Sequence, residues 1–187
     1  MSRSIAWLNG EFMDLEAARV SVEDRGFQFA DGIYEVIRVY SQTLFAVERH
    51  FERMRRSLGA IDLELAMSDA DIRSVFDELI TRSELAEAQI YLQVTRGVMP
   101  REHKIRPGLN PTVLATIQPP RVVPDEVRKS GASVITLPDE RWERCDIKSI
   151  GLLLNVLAKN KAARKGAYDA IFVRNGVVTE ATTSNVF

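Results

Sequence analysis

Three of the chain's seven prolines, Pro119, Pro120 and Pro124, stand close together and constrain its fold more than any other feature. Proline has a locked φ and no backbone N–H, so neither a helix nor a central strand continues through such a cluster. The stretch 119–125 reads as an interdomain linker. It separates an N-terminal α/β domain over 1–118 from a C-terminal domain over 126–187. A chain of 187 residues and 21.1 kDa has room for one domain to one and a half.

On the N-terminal side, Ala6-Trp7-Leu8, an Asn9-Gly10 turn and Glu11-Phe12-Met13 read as a hairpin. Val20-Ser21-Val22 reads as a short strand, and Arg25 to Gly32 as a glycine-punctuated loop. Ile33 to Tyr40 alternates as a strand with one polar position on each face, and Leu44 to Val47 pairs back on it. A helix is expected over 48–58, with Phe51, Met54 and Leu58 on one stripe. Ser68 to Asp71 resembles a capping box that opens a second helix carrying Ile72, Val75, Phe76, Leu79 and Ile80. Strands follow over 89–95 and 111–117. Beyond the prolines come a strand over 132–137, a helix over 151–165 closed by Gly166, and a hairpin turning at Asn175-Gly176.

Composition removes several classes of function. The net charge is −1, so nothing marks a nucleic-acid or acidic-membrane partner. The single cysteine, Cys145, excludes an internal disulfide and any Cys-x-x-Cys metal site, and it reads as a small buried hydrophobe. With His50 and His103 as the only histidines, a histidine-rich metal site is excluded too. No apolar stretch approaches membrane-spanning length and the start holds no signal segment, so the expected compartment is the cytosol.

Lys148 is the candidate with most chemistry in it. Only six of the 25 basic residues are lysine, and this one precedes the apolar run Leu152-Leu153-Leu154. A lysine drawn into a dry interior favours its neutral, nucleophilic amine, which forms Schiff bases with carbonyl cofactors. The alternative is a lysine that snorkels to water from an ordinary helix start. Arg101 and His103, two apart in a loop, either bind one carboxylate together or stand solvated. Glu180 is either a solvated strand end or a carboxylate held against a cationic heterocycle. Arg53 is either solvated or reaches a phosphate. Tyr34 and His50 read as packing or capping residues.

Four separated motifs occur in order: Glu23 to Val36, Gln93 to Gly97 leading into Pro100-Arg101-Glu102-His103, Arg141 to Ser149, and Val178 to Phe187. Together they make the chain resemble the D-amino acid aminotransferases of the branched-chain aminotransferase superfamily over essentially its whole length. The resemblance implies an α+β, two-domain, fold-type IV enzyme that uses pyridoxal 5'-phosphate. The C-terminal part, 126–187, would be an incomplete cofactor-binding domain, because family members continue past Phe187. Lys148 would be the catalytic Schiff-base lysine, Arg53 the contact to the cofactor phosphate, and Glu180 the partner of the pyridine nitrogen. Tyr34, Arg101 and His103 would line the substrate site, the last two trapping the α-carboxylate for the neighbouring subunit of a homodimer. The implied substrates are a D-amino acid such as D-alanine and a 2-oxo acid such as 2-oxoglutarate. Same-fold alternatives are an L-branched-chain aminotransferase or an aminodeoxychorismate lyase; an inactive fragment is a third. Ala30 stands where many relatives carry glycine, which is harmless if its φ stays below zero.

Overall fold

Asn9 and Gly10 both take positive φ, 48° and 105°, as a tight two-residue hairpin turn requires. In the computed structural model, which describes residues 4–187, they join β1 (Ile5–Leu8) to β2 (Glu11–Asp14). The alternating segments expected as strands become β3 (Gly32–Tyr40), β5 (Ala88–Thr95) and β6 (Thr112–Gln118), with the two-residue β4 (Thr43–Leu44) returning on β3. They form an antiparallel sheet in the order β2-β1-β6-β5-β3-β4. Helices α2 (Val47–Ala60) and α3 (Asp69–Ser83) pack against it, and the capping box at Ser68 and Asp71 is formed. Ile33, Ile37, Ile90, Leu92, Val94 and Ile117 from the strands meet Phe51, Met54, Leu58, Ile72, Phe76 and Leu79 from the helices in one core. Each such side chain contributes about 1.5–3 kcal/mol by leaving water.

Local structure departs from expectation in several places. Val20 and Val22 form no strand; they are 45% and 74% exposed and have no sheet face to cover. The segment read as a loop contains α1 (Arg25–Phe29), a single turn capped by Asp24, which accepts from the Gly26 N–H at 2.7 Å. Ala30 ends it with φ +55°, so the condition for a harmless alanine is not met and the residue sits in the left-handed region, a cost of about 1–2 kcal/mol. Val47 opens α2 instead of extending β4, and α4 (Asp125–Ser130) was not expected.

The chain divides into two compact units, one running through Pro120 and including Asp146–Gly151, the other comprising Arg121–Cys145 and Leu152–Phe187. In the second, β7 (Val134–Pro138) lies parallel to β8 (Asp169–Arg174), with α5 (Leu153–Arg164) in the connection between them. β9 (Val177–Ala181) pairs back antiparallel on β8. Ala158 and Ala162 of α5 pack on Ala170 and Phe172 of β8. Among the described residues no helix is long and apolar enough to cross a membrane.

Candidate active site

The strand-forming edge of β3 is covered by β4 only at Val39 and Tyr40, which leaves its first half open on that side. The excursion Asp146–Gly151 fills the gap. Tyr34 N–H donates to the Lys148 carbonyl at 3.0 Å, Ile150 N–H donates to the Gly32 carbonyl at 3.2 Å, and Ser149 bridges Ile33. Lys148 N–H donates to Ser57 Oγ on α2 at 3.2 Å, so the backbone around the lysine is fixed from two sides. Gly32 permits this: a Cβ there would lie 2.5 Å from the Val94 carbonyl and 3.2 Å from Ile150 Cδ1.

Lys148 Nζ stands 4.3 Å from the centroid of the Tyr34 ring. Burial pulls its pKa below the ordinary lysine value; the Arg53 charge pulls the same way and Glu35 pulls back. The leucines that suggested this burial are themselves exposed. Leu152, Leu153 and Leu154 are 36%, 69% and 37% exposed, and it is β3 and α2 that shelter the lysine.

Glu35 is the site residue that sequence reasoning missed. It is fully buried on the helix-facing side of β3, in phase with Ile33, Ile37 and Val39. Its carboxylate accepts from Arg53 Nε at 2.7 Å, Arg53 Nη2 at 2.6 Å and His50 Nδ1 at 2.8 Å. Burial would raise its pKa, but the hydrogen bonds from Arg53 and His50 outweigh that and hold it below the usual carboxylate value. The signal was available: a carboxylate in register with an apolar strand face must have partners. His50 is thus a hydrogen-bond partner of Glu35 and not merely a cap. Arg53 gives two nitrogens to Glu35, yet its side chain remains 40% exposed.

Arg101 and His103 are brought together by an aromatic platform. The Arg101 guanidinium lies 4.5 Å from the Phe29 ring centroid and the His103 ring 5.2 Å from it. Arg25 packs on the same ring at 4.8 Å and donates to the Glu102 carbonyl at 2.6 Å. Buried Arg25 also pairs with Asp31, which Arg96 shares, so this loop is tied to the sheet end by ion pairs. Tyr34 stacks on Tyr91 at 5.8 Å; burial and the Tyr34 phenol push the Tyr91 hydroxyl up to about 12.

Glu180 belongs to the other compact unit, on β9 opposite Phe172. It is half exposed and ion-paired to Arg141. Arg141 in turn holds the Asp139 carboxyl far below the usual carboxylate range through its hydrogen bonds. Cys145, expected buried, is exposed.

Residues 32–187 match the family model of amino-transferase class IV. The chain belongs to the class IV aminotransferases. It is 44% identical over 179 residues to a D-alanine aminotransferase of Bacillus licheniformis, covering 96% of this chain and 63% of that protein. It is 43% identical to a D-alanine aminotransferase of Staphylococcus haemolyticus, over 97% of this chain and 64% of that protein. This class IV aminotransferase therefore spans under two thirds of the length of these curated relatives. The Escherichia coli branched-chain amino acid aminotransferase superposes with a TM-score of 0.85 at 20% identity, over 96% of this chain and 63% of that one. A PLP-bound hypothetical aminotransferase from Mycobacterium tuberculosis superposes with a TM-score of 0.80 at 24% identity, over 96% and 66%. These likenesses establish the mixed α+β fold of fold-type IV aminotransferases.

Proposed function

We propose that the protein is a D-amino acid aminotransferase that moves the amino group of a D-amino acid such as D-alanine to a 2-oxo acid such as 2-oxoglutarate. The observation that carries the reading is Lys148: an amine whose charge is opposed by burial, fixed on β3 beside an Arg53–Glu35–His50 network. The donor set fits pyridoxal 5'-phosphate. Lys148 would supply an amine for its aldehyde and Arg53 a part-exposed guanidinium for its phosphate; from the other unit, Glu180 would supply a carboxylate for its ring nitrogen. When bound, the cofactor supplies an electron sink for the carbanion at the substrate Cα.

The residues then divide the work. Lys148 would hold the cofactor covalently, and its Nζ, when free, would take the Cα proton of the amino acid. Burial lowers the pKa of Nζ and so favours the neutral amine that accepts that proton. Glu35 aims Arg53 by taking two of its nitrogens, and thereby sets where the phosphate is held. Tyr34 packs beneath Nζ and limits where the amine swings. Arg101 and His103 bind the α-carboxylate, with the two side chains set by Phe29; in a homodimer they serve the neighbouring subunit. The high identity to D-alanine aminotransferases favours the D substrate over the L-branched-chain alternative. The cytoplasm is the proposed compartment.

Purified protein should aminate 2-oxoglutarate from D-alanine and not from L-leucine. Turnover of the L substrate alone overturns the reading, and protein that gains no visible absorbance with added pyridoxal 5'-phosphate points to an inactive fragment. A second expectation concerns the platform. Phe29→Leu removes the ring contacts of Arg101 and His103, worth about 0.5–1 kcal/mol each, together with that of Arg25. The KM for D-alanine should rise about fivefold to thirtyfold with kcat little changed. A fall in kcat at constant KM would place Phe29 elsewhere in the cycle.

A further inference from the structure

The C-terminal unit contains a cluster that the roles above do not use. Asp139 follows β7 directly, and its side chain is 2% exposed. Its carboxylate accepts from Arg141 Nε at 2.9 Å, Arg141 Nη2 at 3.0 Å and Thr179 Oγ1 at 2.8 Å, and pairs with Arg174 at 3.3 Å. Its backbone N–H donates to the Val173 carbonyl at 2.9 Å, so the carboxylate is placed by the sheet. Arg141, 9% exposed, sits over Phe172 with its guanidinium carbon 4.6 Å from the ring centroid. Phe172 is the cross-strand partner of Glu180. With Nε and Nη2 committed to Asp139, Nη1 is left to meet Glu180, and it pairs with Oε2.

The order of burial gives the cluster a direction. The Asp139 carboxylate, largely shielded from water, needs the bonds made by what surrounds it. It fixes a guanidinium whose planar fork then presents one further N–H along a defined line. The carboxylate at the end of that line is the half-exposed one, which water would otherwise leave free to rotate. A lone surface pair with Glu180 would hold it weakly. A guanidinium already immobilised by two hydrogen bonds and an aromatic face gives up little further freedom in pairing, so it holds Glu180 better.

We propose that Arg141, anchored by Asp139 and Phe172, is the positioning residue that aims the Glu180 carboxylate at the cofactor's ring nitrogen. The inference rests on the reading of Glu180 given above and adds the device that orients it. Arg141 does not itself touch the ring. It acts through Glu180, and the fork is what does the aiming, so a positive charge without the fork is a poor substitute.

The test is a set of variants in the 187-residue chain, read by equilibrium dialysis of pyridoxal 5'-phosphate and by the visible circular dichroism of the bound cofactor. Arg141→Met should weaken cofactor binding about tenfold, the loss of one charge-assisted hydrogen bond, and should diminish the dichroism band. Arg141→Lys, which retains charge and bulk, should fall between it and the parent. Thr179→Val, which removes one donor to Asp139 without touching Arg141 or Glu180, should shift the band in the same sense by less. In the double variant with Glu180→Gln, Arg141→Met should add little, since both changes break one connection. Normal affinity and dichroism in Arg141→Met and Arg141→Lys, with both altered in Glu180→Gln, overturn the inference and leave the role of Glu180 standing. Fully additive losses in the double variant also overturn it. Glu180→Gln without effect overturns the role of Glu180 and the inference with it. Should Arg141→Met fail to fold, the Arg141→Lys and Thr179→Val comparison decides on the same criteria.

Discussion

Replacing Lys148 with alanine should abolish the visible absorbance that the parent protein gains with pyridoxal 5'-phosphate and lower turnover by at least about 10⁴-fold. Lys159, by contrast, has its amine bonded to the Tyr168 carbonyl at 2.6 Å. Normal turnover in this variant would refute the central assignment. The same position has a signature in stability that needs no cofactor. The folded chain releases the Lys148 proton more readily than the unfolded chain, because burial and then Arg53 oppose the charge. Between the folded and unfolded pKa values the unfolded chain binds more protons, so stability rises with pH there and the penalty is complete below the folded value. Lys148→Met, which retains apolar bulk, should therefore melt higher than the cofactor-free parent at neutral pH. The shift should be about 2–4 °C per kcal/mol relieved, and the advantage should shrink as the pH climbs toward about 10.4. A lower melting temperature for Lys148→Met at pH 7 would mean that the amine is comfortable where it sits.

Gly97→Ala should be the most damaging small substitution in the loop system. Gly97 has φ +100°, and a Cβ there would lie 2.0 Å from the Asn110 carbonyl oxygen. Its own carbonyl accepts from Arg25 N–H at 2.9 Å and its N–H donates to Thr95 Oγ1 at 3.2 Å, so the backbone has no room to yield. Strain plus displacement should cost about 3 kcal/mol or more, read from the urea midpoint. The chain beyond it, which carries Arg101 and His103, should shift, raising the KM for the amino acid. Gly108→Ala provides the comparison: its φ is +75° but open space surrounds the added carbon, so only the backbone penalty of about 1 kcal/mol applies. Equal losses at the two positions would show that the Asn110 clash is relieved without cost.

The strands and long helices were readable because burial imposes a period that survives in the sequence: Ile33, Ile37 and Val39 against α2, and Phe51, Met54 and Leu58 against the sheet. What escaped were features without a period. α1 is one turn long, too short for periodicity to register. Ala30 adopts a left-handed conformation that nothing in its own side chain announces. Of the site, Lys148 was singled out beside leucines that are themselves exposed, whereas the strand it packs on, β3, lies more than a hundred residues earlier. Glu35 and His50 were visible as residue types, but their pairing with Arg53 depends on a strand and a helix meeting in space. Arg101 and His103 could be paired from their spacing, whereas Phe29 and Arg25, which set them, lie some seventy positions away.

The path of the chain through its two units bears on how the protein can be taken apart. It leaves the first unit after Pro120, returns at Asp146 to lend six residues to the edge of β3, and leaves again after Gly151. A protease cut among the prolines would therefore not release an intact N-terminal module, because the hexapeptide that completes its sheet would depart with the other piece. Splitting this protein into complementing halves calls for a break elsewhere, and a recombinant 1–120 would need the 146–151 peptide restored, by graft or in trans, before its sheet edge matched the parent.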